Sequence, residues 1–97
     1  MFRHVVLLTF SDEASDARVQ EVVDHLRTLP AAIPEIRSYE VGRDAGLAPG
    51  NADVVVVADF DDADGYAVYR DHPRHQEVIA TRITPILAAR SALQHER

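Results

Sequence analysis

Residues 69–78 read Tyr-Arg-Asp-His-Pro-Arg-His-Gln-Glu-Val. Two imidazoles flank a Pro-Arg pair, and a phenol sits three residues before the first. Imidazole is the side chain whose ordinary pKa lies closest to neutrality, so it serves as general base, general acid or metal ligand. A phenol beside it can orient a substrate or donate a proton to its oxygen. The residue before a proline avoids helical angles, and proline is favoured at the first helical position. His72 therefore reads as an N-cap and Pro73 as the start of a helix. That makes His75 the third helical residue, three before the apolar Val78, on the helix's inner face. Tyr66 and Tyr69, three apart, share one side of the preceding helix. His4, in the opening apolar segment, is the other candidate. His4, Tyr69 and His75 are the expected catalytic set, with His72 and Tyr66 as ligand contacts. The first backbone N–H groups of the helix would face the same place and favour an oxyanion or enolate.

Each residue also has a plainer role. His72 can simply cap its helix, and His4 can be a satisfied histidine at the edge of a core. Tyr66 and Tyr69 at helical spacing can be core aromatics with wetted hydroxyls. His25 lies off the apolar stripe of its helix and reads as a surface histidine. His95 reads as exposed or disordered near the C-terminus. Three histidines can hold zinc, but a capping His72 would not share a helical face with His75, so no metal is expected. Asp61, Asp62, Asp64 and Asp71 form an acidic cluster best read as a solvated helix start. No EF-hand loop is present, and Asp44–Ala52, with two glycines, lacks the Gly-Lys-Ser/Thr ending of a phosphate loop.

The elements that must position these residues follow from periodicity. Phe2 to Phe10 is a strand with Phe2, His4, Val6, Leu8 and Phe10 on one face and Arg3, Val5, Leu7 and Thr9 on the other. Asp16 to Leu29 is a helix with a stripe of Val19, Val22, Val23, Leu26 and Leu29. Its N-cap is Ser15, or Ser11 or Asp12 if it starts earlier. Ile36 to Arg43 and Asp53 to Phe60 are strands, the latter a valine run without clear alternation, as expected of a strand covered on both sides. Asp61 and Asp62 cap a short helix through Arg70, weakened by Gly65. Val78, Ile79, Ile83 and Ile86 give the next helix its stripe, and Pro85 kinks or stops it. Leu87 to Gln94 completes the set as a strand, although its composition also suits a helix.

Strand, helix, strand, strand, helix, strand is the split βαβ order of the ferredoxin-like fold, an α+β sandwich of a four-stranded antiparallel sheet with helices on one face. The apolar Val5 and Leu7 on the other face need cover. A second copy packing sheet to sheet would give a dimeric α/β barrel.

Composition narrows the chemistry. The 97 residues suit a single domain spanning 1–97. The formal charge of −6 argues against nucleic acid. There is no Cys, hence no disulfide, thiol nucleophile or zinc-thiolate site. All ten cations are Arg, which excludes Schiff-base chemistry. The apolar start is too short for a signal peptide and no stretch reaches a membrane span, so a cytoplasmic protein without membrane contact is expected.

The opening Arg3-His-Val-Val-x-x-x-Phe10, the polar Ser11–Ser15 turn and Tyr69-x-x-His72-Pro73-x-His75 together resemble the stress-responsive α/β-barrel (Dabb) family over nearly the whole chain. The resemblance implies a ferredoxin-like subunit and a homodimer whose sheets form a barrel. One branch holds plant polyketide cyclases, which close an aldol ring without metal or organic cofactor through a histidine base helped by a tyrosine. The motif places that base at His75 and the tyrosine at Tyr69, with His4 matching a first-strand histidine. A further histidine of that branch, on the third strand, is replaced here by Val54. The expected function is a homodimer with a small-ligand pocket, with cofactor-free acid–base chemistry on a small aromatic or β-keto metabolite. The alternatives are a non-enzymatic stress-related binding dimer, or a cofactor-independent monooxygenase or lactone isomerase on the same fold. A filled interior with His75 bonded to backbone would favour the non-enzymatic dimer.

Overall fold

A computed structural model describes all 97 residues. The elements are β1 (Phe2–Phe10), α1 (Asp16–Leu26), α2 (Leu29–Ala32), β2 (Ser38–Arg43), β3 (Val54–Phe60), α3 (Ala63–Asp71), α4 (Pro73–Val78) and β4 (Leu87–Glu96). One antiparallel sheet runs in the order β2-β3-β1-β4. The helices cover one face, as the split βαβ reading requires.

The helix-side face of the sheet carries His4, Val6 and Leu8 from β1 and Val54, Val56, Ala58 and Phe60 from β3, all buried. Beneath the helices they meet Val19, Val22, Val23 and Leu26 of α1, plus Leu29, Ile33, Tyr69 and Val78. Alternate residues of β3 are half-buried, apart from the buried Asp59. The alternation that the valine run hides is therefore present in burial.

Several boundaries differ from the sequence reading. Ser15 does cap α1, its hydroxyl accepting from the Arg18 N–H at 3.2 Å. However, α1 stops at Leu26, not Leu29. Pro30 has no N–H for a continuing helix, and the chain restarts as the single turn α2 with Pro30 in its first turn. The break drops both Leu29 and Ile33 into the core. Only Asp62 caps α3, accepting from the Gly65 N–H at 2.9 Å. Asp61 instead pairs with Arg37. The turn between β2 and β3 relies on Gly46 and Gly50 at φ of 77° and 81°, angles that side chains with a Cβ rarely adopt.

After α4 the backbone widens into a π-helical turn at Ile79–Ile83 and tightens to a 3₁₀ turn at Thr84–Ile86 around Pro85. The segment of helix-like composition that follows is the strand β4. It pairs with β1 from Phe2↔Glu96 to Phe10↔Leu87, so His95 lies on an ordered, exposed strand opposite Arg3. Tertiary pairing overrides local propensity here, because β1 would otherwise present a bare edge.

The opposite face of the sheet has no layer over it. Leu7 is 43% and Leu93 56% exposed, beside the half-buried Val5, Val55 and Val57. At one end of this face Asp59, 2% exposed, accepts from Arg3 Nε and Nη2 at 2.8 and 2.9 Å, from Arg97 at 3.2 Å and from Ser38 at 3.2 Å. Those donors hold its carboxyl down at about 2, the Arg3 hydrogen bonds contributing most.

A recess between sheet and helices

The chain turn at His72-Pro73 sets the geometry of the site. His72 is extended at φ −63° and ψ 135°, and its Nδ1 accepts from the Arg74 N–H at 3.1 Å. Its ring is consumed in capping and does not line the cavity described below. The expected role of His72 as a ligand contact is thus not matched by its position. Few of the helix N–H groups are left for the expected use either. Pro73 has none, Arg74 gives its own to His72 Nδ1, and Gln76 gives its own to the His72 carbonyl at 3.0 Å.

His75 does turn inward. Its ring stacks on Tyr69 with centroids 4.1 Å apart and an interplanar angle of 35°. Tyr69 is only 2% exposed and stands edge-on to His4 at 6.1 Å. Tyr66 lies 4.8 Å from His4. His4, Tyr66, Tyr69 and His75 therefore meet in one place, although His4 is far from the rest in the chain.

They border a cavity of about 240 Å³. Its floor is sheet, with Val6 and Leu8 beside His4 and Val56 from β3. Its roof and walls include Leu26, Ile79, Ile83 and Leu87, with Gln76, Arg70 and Arg90 at the polar side. Apolar walls with a few convergent polar groups are the usual make-up of a small-molecule site. Val54 is buried and stays outside the cavity; Val56 supplies the third-strand contact. Every helix-facing residue of β3 is apolar or Ala, so no third-strand histidine reaches the recess.

The hydrogen bonds distinguish the two histidines. His75 Nδ1 lies 3.0 Å from the Arg70 carbonyl oxygen, which can only accept. His75 therefore carries its proton on Nδ1 and keeps a lone pair on Nε2. His4 Nδ1 lies 2.8 Å from the Gln94 side-chain nitrogen, which donates. His4 therefore carries its proton on Nε2. No buried side-chain nitrogen or oxygen lacks a partner, so the two remaining ring nitrogens, which make no hydrogen bond, each keep some accessible surface. The recess thus pairs one imidazole acceptor with one imidazole donor.

Burial favours the neutral form of both rings. Burial pushes His4 down to about 4, with Arg90 and then His75 adding to the effect. His75 is lowered chiefly by burial, opposed by the Arg70 carbonyl and assisted by Arg90 and His72. Tyr69 is pushed up to about 12 by burial. Its hydroxyl lies 2.8 Å from that of Tyr39 on β2, which burial also raises. Two hydroxyls sharing one hydrogen bond leave one hydrogen to spare, and Tyr69 is the member that borders the cavity.

Tyr39, Gln94, Arg70, Gln76 and Arg90 are site residues that sequence reasoning missed. Tyr39 and Gln94 lie on strands whose register is not legible locally. Arg70 and Gln76 flank the His-Pro motif and are legible only as neighbours of it. No group of three or more His, Asp or Glu is arranged to hold a metal ion. A wider polar cleft of about 540 Å³ near the β1–α1 turn contains Asp16, Asp44 and Asp53. Asp16 pairs with Arg43, Asp44 accepts from the Gly46 N–H and Asn51, and Asp53 accepts from the Phe10 N–H. Those carboxylates serve the local structure.

Residues 2–95 match the stress responsive A/B barrel domain, Dabb. An uncharacterized protein of Streptomyces coelicolor is 32% identical over 82 residues, covering 82% of this chain and 84% of its own. The stress-response A/B barrel domain-containing protein At5g22580 of Arabidopsis thaliana is 30% identical over 83 residues, covering 81% of this chain and 71% of its own. Among solved structures, a dimeric ferredoxin-like protein of unknown function from Thermobifida fusca superposes with a TM-score of 0.91 at 45% identity, over 99% of this chain and 90% of that one.

Proposed function

The chain belongs to the stress responsive A/B barrel domain family, and from that membership and the recess geometry we propose a cytoplasmic homodimer whose subunits each carry a small-ligand site for cofactor-free acid–base chemistry on an enolisable carbonyl compound. The uncovered apolar sheet face and the dimeric state of its Thermobifida relative support the homodimer.

The observation that carries the chemistry is that His75 Nδ1 lies on the Arg70 carbonyl while His4 Nδ1 lies on the Gln94 amide nitrogen, which gives the two rings opposed protonation. His75 Nε2 takes a proton from the carbon next to a substrate carbonyl, and the electron pair of that C–H bond moves onto the carbonyl oxygen as an enolate. With Tyr39 as the donor to the Tyr69 oxygen, the Tyr69 O–H is free to donate to that enolate oxygen. The His4 Nε2–H is a second neutral donor. In an aldol closure like that of polyketide cyclases, the enolate carbon then attacks a second carbonyl of the same molecule. The new alkoxide takes back the proton held on His75, so the enzyme ends as it began. Neutral rings suit this cycle, since a protonated His75 could not act as a base.

A non-enzymatic binding dimer is the second reading, and the sequence-based discriminator divides between the two. His75 is bonded to backbone, as that reading expects, yet the interior is not filled. The backbone bond occupies only Nδ1, which leaves the basic nitrogen available. Thermal-shift screening of aromatic and β-keto compounds identifies a ligand. Exchange of its α-hydrogen for deuterium in D₂O then reads enolisation directly. The expected loss on His75→Ala is about 10²–10⁴-fold. An unchanged exchange rate in a folded His75→Ala variant removes the catalytic reading and leaves the binding dimer.

A further inference from the structure

The recess has an uneven charge that its apolar lining conceals. None of its 15 lining residues is Asp or Glu, in a chain with sixteen acidic residues and a formal charge of −6. Two lining residues are cations, Arg70 and Arg90. Arg70 is neutralised locally: its Nε and Nη2 donate to the Asp71 carboxylate at 2.9 and 3.0 Å, and its guanidinium stands 5.9 Å from the Tyr66 ring centroid. Arg90 takes part in none of the ion pairs and side-chain hydrogen bonds of the molecule, whereas Arg3, Arg37, Arg43, Arg70, Arg82 and Arg97 all have carboxylate partners. The strand register puts Arg90 opposite Leu8, on the helix-facing side of β4. An unpaired guanidinium bordering an apolar recess with no carboxylate in its wall is a ready partner for an anion, because its fork of donors matches a planar oxyanion.

We infer that the recess takes an organic anion, an apolar body filling the cavity and a carboxylate or equally planar oxyanion held by Arg90. The inference rests on the recess being a ligand site and adds the class of ligand. It also places the charged end of the molecule toward β4 and its apolar end toward Val56 and Ile83. Burial disfavours the charged forms of both histidines, which leaves the guanidinium as the main cation for the anion. Selection between a carboxylic acid and its neutral amide therefore falls to Arg90.

The test uses three acid–amide pairs: benzoate and benzamide, 3-phenylpropionate and 3-phenylpropanamide, octanoate and octanamide. Binding is read by shifts of the His4 and His75 ring resonances in NMR titrations at pH 7.5, for wild type, Arg90→Gln, Arg90→Lys and Arg70→Gln. At least one acid is expected to bind wild type about tenfold or more tightly than its amide. Arg90→Gln is expected to abolish that preference. Arg70→Gln is expected to leave most of the preference in place, and Arg90→Lys to restore part of it. Equal affinity of acid and amide for wild type, or a preference that survives Arg90→Gln, overturns the anion inference while leaving the ligand site intact. No response of either ring to any of the six compounds overturns the inference and the ligand site together. Arg90 is exposed on an edge strand, so its variants are expected to fold, and native dispersion of their NMR spectra verifies that they do.

Discussion

His4 links the recess to global stability in a way that can be measured. Its ring is 3% exposed and sits near 4, against 6.5 in an unfolded chain. The unfolded chain therefore binds a proton that the folded one refuses, so stability falls as pH drops below 6.5 and stops falling below about 4. At pH 4.5 the unfolded form gains a factor of about 100 from protonation at this site and the folded form almost nothing. The difference amounts to about 2.5 kcal/mol relative to pH 7.5. Replacing His4 by Leu removes the titration while keeping an apolar side chain of comparable size, and the freed Gln94 amide lies on exposed β4, where water satisfies it. Urea unfolding of wild type and His4→Leu at pH 7.5 and 4.5, at one fixed protein concentration, gives the comparison. Wild type is expected to lose about 2.5 kcal/mol more than the variant over that interval. His75 shifts in the same direction but is common to both proteins. The carboxyl of Asp59 is held near 2, so its contribution is lost only below 3.8, outside the interval. Equal losses in the two proteins, or a His4 ring that titrates near 6.5 by NMR, would refute the claim that this imidazole is buried and neutral.

Two further outcomes follow from individual contacts. His72→Ala removes the acceptor for the Arg74 N–H and is expected to cost about 1 kcal/mol in urea unfolding; His72→Asn should recover most of it, and because the ring lies outside the cavity, neither change should alter ligand affinity by more than about twofold. Leu7→Asp places a charge in the centre of the uncovered sheet face, and sedimentation equilibrium should then give the 10.8 kDa mass of one chain, against twice that for wild type; a wild type that sediments as a monomer at micromolar concentration contradicts the homodimer.

The residues that sequence alone located share a property: their placement is decided within a few positions of chain. His72-Pro73 is such a case. Proline fixes its own φ and restricts the residue before it, so the cap, the start of α4 and the inward turn of His75 are all local consequences. The periodic stripe of α1 and the alternation in β1, which put Val22 and Val23 in the core and His4 beneath the helices, are equally local. The break at Leu26 was less legible, because Pro30 forbids continuation without saying whether the preceding turn unwinds or a new turn begins. The burial of Leu29 and Ile33 decides that.

The polar half of the recess depends on partners far away in sequence. "LAARSALQ" reads as the closing strand, but its composition suits a helix equally well. What makes β4 is the open edge of β1, eighty residues earlier, whose backbone groups need partners. Once paired, the register fixes which side chains face the helices: Arg90 opposite Leu8, Ala92 opposite Val6 and Gln94 opposite His4. A slip of one residue would turn Ser91 and Leu93 toward the cavity and send Arg90 and Gln94 to the other face. The donor that sets the His4 tautomer and the unpaired cation of the recess would be lost together. The chemistry of the site is therefore encoded in the β1–β4 pairing as much as in the Tyr-x-x-His-Pro-x-His motif.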